Sequence, residues 1–187
     1  MANLIYVANT SLDGYIEDQQ GNYNWADPSD EYFRFITTLI KPARTYLYGR
    51  RMYETMQVWE TDPTLASQSP LMRAFADTWQ AADKIVYSRT LQKVSTRKTQ
   101  LEHTFDPQAL RQLKAAAKPG ILIGGPEIAA QAFRAGLIDE CHLFIVPILL
   151  GGGKPALPAN VRLELELLAE RRFRNGTVYL RYRTRPG

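Results

Sequence analysis

Ile121-Leu122-Ile123-Gly124-Gly125-Pro126-Glu127-Ile128 joins three β-formers to two glycines, and an apolar periodicity then continues through Phe133 and Leu137. That order predicts a buried strand handing its last residue to a helix. At such a junction free backbone N–H groups meet the positive end of the helix dipole, a combination that favours an anion. Glycine has no Cβ, so a phosphate could approach the backbone closely at Gly124 and Gly125. A plain strand–turn–helix connection has the same spelling, so the junction acquires chemical meaning only beside other strand ends.

Outward from this junction the chain alternates strands and helices. Residues 3–10 read as a strand, and Ser11-Leu12-Asp13-Gly14 as a loop with an Asp-Gly turn. Trp25-Ala26-Asp27-Pro28-Ser29-Asp30-Glu31 spells a helix start, with proline, a capping serine and acids in the first turn. Tyr32, Phe33, Phe35, Ile36, Leu39 and Ile40 give that helix its apolar face, and Pro42 ends it. Residues 45–48 form a second strand, and Gly49-Arg50-Arg51-Met52-Tyr53 opens a second helix. Residues 58–69 read as loop, 70–82 as a third helix, and 84–88 as a third strand leaving through Arg89-Thr90-Leu91. A short strand over 100–105 precedes a helix that Asp106-Pro107 begins and Pro119-Gly120 ends.

After the opening strand and helix, the mostly apolar run 140–149 predicts a buried strand, and 151–155 a flexible exit loop. Residues 161–172 and 177–183 alternate with period two around Asn175-Gly176, a hairpin signal. Together these elements predict one α/β domain over 1–187. Its central sheet is mostly parallel, with an antiparallel C-terminal hairpin and helices on both faces.

Composition narrows the function classes. The chain has 187 residues, 45% hydrophobic and 22% charged, enough for a full core. No apolar run reaches the ~18 residues of a membrane span, and the N-terminus lacks the basic start and long apolar stretch of a signal peptide. Cys141 is the single cysteine, which fits a reducing cytoplasm. With His103 and His142 as the two histidines, no metal-ligand cluster is expected. The net charge of +4 is dispersed among acids, which points away from nucleic acid and suits an anionic small molecule.

In open α/β sheets ligands bind beyond the carboxyl ends of the strands. Three such ends carry suggestive residues: Gly49-Arg50-Arg51, with two guanidinium groups; Ser88-Arg89-Thr90, with a hydroxyl and a guanidinium; and Gly124-Gly125. Together they point to a dinucleotide carrying an extra phosphate, which describes NADPH better than NADH. The G-x-G-x-x-G fingerprint is absent, so a standard Rossmann site is disfavoured.

Five pieces in this order resemble the dihydrofolate reductase-like fold, in particular the C-terminal reductase domain of bacterial riboflavin biosynthesis. They are Ser11-Leu12-Asp13-Gly14, residues 48–54, Val86-Tyr87-Ser88-Arg89, Ile123-Gly124-Gly125 and residues 145–153, and the resemblance covers nearly the whole chain. The resemblance implies NADPH as cofactor. Gly49, Arg50, Arg51 and Met52 would then hold its pyrophosphate side, and Ser88 with Arg89 the 2′-phosphate. Gly124, Gly125, Pro126, Glu127 and Ile128 would hold phosphate and the nicotinamide half, with Val7 and Ala8 lining the nicotinamide edge. A homodimer is implied as well.

For the small-molecule substrate, the resemblance and the aromatic character of the segment around Trp59 point to Asp13, Trp25, Phe33 and Trp59. The pattern Trp25-x-x-Pro28-x-Asp30 is similar to one in which a helix aspartate binds a pterin, so Asp30 is the candidate catalytic acid; it also reads as a carboxylate complementing a helix N-terminus. Asp13 likewise reads as turn former or substrate contact. Tyr15 stands where the riboflavin-type reductases usually carry a lysine, which argues against an anionic sugar-phosphate there. Two functions stay open: an NADPH-dependent reductase of a small heterocycle or carbonyl compound, and a non-catalytic nucleotide-binding or interaction module.

Overall fold

The structure, a computed structural model, describes residues 1–26, 29–117 and 120–185. Pro28 and Pro119, read above as helix start and stop signals, lie outside the described residues. An eight-stranded sheet forms the centre, in the order β5 (Thr99–Glu102), β4 (Asp83–Tyr87), β3 (Thr45–Gly49), β6 (Ile121–Gly124), β1 (Leu4–Ser11), β7 (Glu140–Val146), β10 (Val178–Thr184), β9 (Leu165–Arg172). From β5 to β7 all pairs are parallel; β10 runs antiparallel to both β7 and β9. The mostly parallel sheet with its antiparallel C-terminal hairpin is therefore as expected.

Local chemistry sets where the helices begin. Ser29 caps α1 (Asp30–Ile40) by accepting from the Tyr32 N–H, with Asp30 and Glu31 in the first turn. Ser69 and Pro70 open α5 (Pro70–Ala81), Asp106 and Pro107 open α6 (Pro107–Ala116), and Gly125 and Pro126 open α7 (Pro126–Arg134). Proline suits the first helical position, where its missing N–H would be unpaired anyway.

The sheet divides two cores. On one face Phe33, Ile36 and Ile40 of α1 pack with Phe75 and Trp79 of α5 and with Tyr46, Tyr48, Phe144 and Tyr179. On the other, Leu110 of α6 and Ile128, Ala129, Ala132 and Phe133 of α7 pack against Leu4, Tyr6, Leu47, Ile121 and Ile123. Burying one such large apolar side chain contributes about 1.5–3 kcal/mol, so these two layers dominate the stability of the fold. No described helix is long and apolar enough to cross a membrane.

Three expectations need correction. Residues 58–69 are not a loop: after α2 (Arg50–Met56) come α3 (Val58–Thr61) and α4 (Pro63–Ser67). The Asp62 carboxylate accepts from the Thr64 and Leu65 N–H groups, and Trp59 packs edge-on against Phe75 at 4.7 Å and Phe33 at 6.0 Å. Cap and anchor together order a segment whose serines and threonines suggested otherwise.

The exit loop at 151–155 is partly a strand, β8 (Lys154–Pro155), which pairs antiparallel with β2 (Tyr15–Glu17), an element the sequence did not suggest. Gly153 makes that pairing possible. Its φ is +137°, and a Cβ there would stand 1.9 Å from the Glu17 carbonyl oxygen. The buried strand read over 140–149 stops at Val146. Pro147 has no N–H to continue the ladder; the Ile148 N–H turns back to the Val146 carbonyl, and those of Leu150 and Gly151 donate to Asp13.

Candidate functional site

The parallel registers bring the suggestive strand ends together. Tyr48 lies opposite Gly124, Gly49 opposite Tyr87, and Tyr6 opposite Ile123. Val7, Gly49, Ser88 and Gly124 are thus within one residue of a common level at the carboxyl edge. There the chain leaves a cleft of about 1260 Å³.

Every position read as cofactor-binding lines it: Val7 and Ala8 from β1, Gly49 to Met52 after β3, Ser88 and Arg89 after β4, and Gly124 to Ile128 after β6. The glycines have physical reasons. A Cβ at Gly124 would come within 3.1 Å of the Tyr48 ring and 3.3 Å of Met52 Cε; Gly125 has φ +95° and caps α7. Side chains at these two positions would strain the turn and fill the approach to the α7 N–H groups.

The rim is charged. Arg51 meets Glu17 at 3.0 Å, Lys154 meets Glu127 at 2.7 Å and Glu17 at 3.7 Å, and Arg50 meets Glu54 at 2.7 Å. The Lys154 hydrogen bond holds the Glu127 carboxyl below its ordinary range. Arg50 also donates to Thr90 Oγ1 at 3.0 Å. The Ser88 hydroxyl accepts from the Thr90 and Leu91 N–H groups, a tight turn that presents Arg89 and Thr90 to solvent beside the cleft. Arg89 has no side-chain partner among the described residues.

The far wall is aromatic. Tyr32, Phe33 and Ile36 of α1, Trp59 of α3, and Phe75 and Trp79 of α5 line it, with Met56 and Tyr48 between. The Tyr48 hydroxyl accepts from Trp79 Nε1 at 3.1 Å, and burial pushes its pKa well up. Phe33 and Trp59, two of the residues read above as substrate contacts, stand in the lining.

Asp13, Trp25 and Asp30 do not line the cleft. Asp13 accepts from Ser11 Oγ at 2.6 Å and from the Leu150 and Gly151 N–H groups, so it ties the first loop to the exit of β7. The Ser11 hydroxyl, and then those N–H groups, hold its carboxyl below the usual range. Trp25 donates its indole N–H to the Asn22 carbonyl. Asp30 is exposed at the first position of α1, where a carboxylate complements the helix N-terminus. Of the two readings of Asp13 and Asp30, the local structural one accounts for these positions.

Several lining residues went unread: Asn9, Glu17, Tyr32 and Lys154. Asn9, the first polar residue after the apolar run Leu4 to Ala8 of β1, was a visible signal. Lys154 and Glu17 were not visible, because only the β2–β8 pairing brings them to the rim.

Comparisons with known proteins bear on the fold and the family. The protein YyaP of Bacillus subtilis (strain 168) is 26% identical over 175 residues, covering 92% of this chain and 89% of YyaP. The crystal structure of a putative riboflavin biosynthesis protein from Shewanella sp. PV-4 superposes with a TM-score of 0.75 at 22% identity, covering 100% of both chains. A pyrimidine reductase-like protein from Corynebacterium diphtheriae NCTC gives 0.64 at 15% identity, covering 100% of this chain and 93% of that one. The Thermotoga maritima diaminohydroxyphosphoribosylaminopyrimidine deaminase/5-amino-6-(5-phosphoribosylamino)uracil reductase gives 0.64 at 14% identity; 98% of this chain corresponds to 56% of that longer one. At these identities the structures speak for the fold. The family model of the RibD C-terminal domain matches residues 2–179, and the chain belongs to that family.

Proposed function

We propose that this chain is an NADPH-dependent reductase that transfers a hydride to a small heterocyclic, pyrimidine-like or carbonyl substrate. One observation carries the reading. Strand ends separated by tens of residues in sequence, each with glycine or arginine, meet at one cleft whose opposite wall is aromatic. Family membership supports the same class of reaction.

The residues fit the cofactor. Gly124, Gly125 and the N–H groups opening α7 suit the pyrophosphate, and Arg50 and Arg51 are in reach of the same rim. Arg89, a cation at the end of β4 with no side-chain partner among the described residues, suits a 2′-phosphate. NADPH bound there would supply the hydride; the protein supplies position and dryness. Val7 and Ala8 offer a flat apolar edge for the nicotinamide. The aromatic wall excludes water from the reacting carbon, and its proton would come from solvent or a hydroxyl, since no carboxylate lines that wall among the described residues. That same lack of an acid favours the second reading, a nucleotide-binding module without catalysis.

Titration with NADPH tests the first step. A tight complex should gain about 2.7 kcal/mol of stability at a hundredfold excess over the dissociation constant, read as a rise in melting temperature with a change in Trp fluorescence; no change in either overturns the reading. Arg89→Ala should weaken NADPH by roughly ten- to a hundredfold, the loss of a charge-assisted hydrogen bond, and leave NADH unaffected. Equal losses for both nucleotides would refute the 2′-phosphate assignment. NADPH binding without oxidation by any of a panel of pyrimidines and carbonyl compounds would favour the module. Pairing of two copies belongs to the same proposal, because the edge strand β9 exposes Leu165 and Leu167. A monomeric mass at micromolar concentration would remove it.

A further inference from the structure

One polar arrangement in the aromatic half of the cleft is left without a use by the cofactor assignment. Asn9 lies on β1 two residues beyond Val7, on the same face, and lines the cleft. Its Oδ1 accepts the Tyr32 hydroxyl at 3.0 Å. That bond orients the carboxamide, with its oxygen toward Tyr32 and its NH2 turned away. Among the described residues this nitrogen donates to nothing. Tyr32 is itself held: its ring packs edge-on against Phe144 at 5.0 Å and Phe33 at 6.2 Å. Burial raises its pKa to about 12, so the hydroxyl stays a donor throughout the physiological range and the amide keeps its orientation.

The surroundings limit what the free NH2 can meet. Helices α1, α3 and α5 contribute only uncharged side chains to the lining, with Phe33, Trp59 and Phe75 in mutual edge-to-face contact. Arg50, Arg51 and Lys154 are each paired with a carboxylate. Arg89 follows β4, at the strand end assigned to the cofactor. A phosphate against the aromatic wall would lose its hydration and gain no cation there, which disfavours it. A flat neutral ring would gain apolar contact, and an acceptor on it would satisfy the waiting donor.

We propose that Asn9, oriented by Tyr32, determines substrate specificity by donating its amide N–H to a carbonyl oxygen or ring nitrogen of a planar, unphosphorylated heterocycle. The class of reaction rests on the reductase reading; the recognition step does not depend on the cofactor. Asn9 touches the substrate, and Tyr32 acts through it as a positioning residue.

Lumazine, a planar ring with two carbonyl acceptors, is a suitable probe, because Trp59 and Trp79 line the cleft and their fluorescence reports an aromatic ligand. In the wild-type chain lumazine should quench to saturation, and ribose 5-phosphate should not displace it. Asn9→Ala should weaken lumazine roughly ten- to a hundredfold, the loss of one buried hydrogen bond with its partner left unpaired. Asn9→Asp, which keeps the acceptor for Tyr32 and removes the donor, should lose as much. Tyr32→Phe should lose only a few-fold, because the amide survives and merely turns more freely. NADPH titrations should be unchanged in all three variants, which also reports that they fold.

Lumazine affinity equal to wild type in Asn9→Asp, absence of saturable quenching in the wild-type chain, or displacement by ribose 5-phosphate would each overturn the inference. If NADPH binds and lumazine does not, the inference fails and the reductase reading stands. If lumazine binds through Asn9 and NADPH does not bind, the inference stands and the cofactor assignment fails.

Discussion

The carboxyl edge of the parallel strands and the β7–β10 pair both gather polar side chains on one sheet, and they differ in whether those side chains are already partnered. On β7 and β10, Tyr179 Oη meets His142 Nδ1 at 3.0 Å, His142 Nε2 meets Glu140 Oε2 at 3.0 Å, and Arg181 donates twice to Glu140. Asn3 adds another donor to the same carboxylate. A search for Tyr-His-Glu relays would select this cluster as an active site. It is sealed, with Glu140, His142 and Tyr179 each about 3% exposed, and its hydrogen bonds are used up internally.

Around the cleft most charged groups pair at the rim, while Arg89 and the Asn9 amide nitrogen, both in its lining, have no partner among the described residues. Unused hydrogen-bonding capacity beside a cavity, more than the inventory of titratable residues, distinguishes a place where a ligand can act.

The comparison breaks most visibly at Glu140. Removing a partner from a buried pair costs about 3–5 kcal/mol, but Arg181 is partly solvated, so Glu140→Ala should cost about 2–3 kcal/mol, or roughly 4–12 °C in melting temperature. NADPH affinity should be untouched. A variant that melts like the wild type, or that loses NADPH while folded, would mean the two regions are not the separate structural and functional units described.

Gly125→Ala should show the opposite signature. Its φ of +95° with ψ of 127° lies outside the left-handed helical region and costs an L-residue about 1–3 kcal/mol, and a Cβ would stand 3.2 Å from Met52 Cβ. Relaxing that strain moves the turn that opens α7, so NADPH should weaken by roughly ten- to thirtyfold against a smaller change in melting. Unchanged affinity would show that the turn is not the phosphate contact.

The smallest effect concerns pH. Burial lowers the pKa of His142 below its ordinary value of 6.5, against the opposing pull of Glu140. At Glu140 burial opposes ionisation, but the hydrogen bonds from Arg181 and His142 outweigh it, so the carboxyl titrates below its ordinary 4.5. Both shifts leave the unfolded chain binding more protons than the folded one in acid, so stability rises with pH in that range. It is full above 6.5, declines as pH falls below that through the folded His142 value, and declines again below 4.5 through that of Glu140. His142→Gln should flatten the first decline in melting temperature. A decline of the same slope in that variant would assign the acid sensitivity to another group.

Legibility followed the range of the interactions. Caps at Ser29 and Asp106, the prolines after Asp106 and Gly125, and the glycines at 124–125 act within a few residues, and each was readable. The strand ends that line the cleft were readable too, since parallel strands put their carboxyl ends on one edge whatever the side chains. The Asp62 cap that orders α4 was equally local, but the serines and threonines around it masked it.

The sequence by itself therefore determined the α/β pattern, the order of its punctuation and the strand ends able to meet an anion, because periodicity, capping and glycine geometry are properties of short segments. Only the tertiary structure decided which polar groups are spent on one another and which remain free. Asp13 holds Leu150 and Gly151, Glu17 meets Arg51 and Lys154, Glu140 binds Arg181, and Tyr32 turns Asn9. Those partners lie far apart along the chain or on neighbouring strands, and their pairing depends on sheet register and on helices packing across the sheet, which no local pattern encodes.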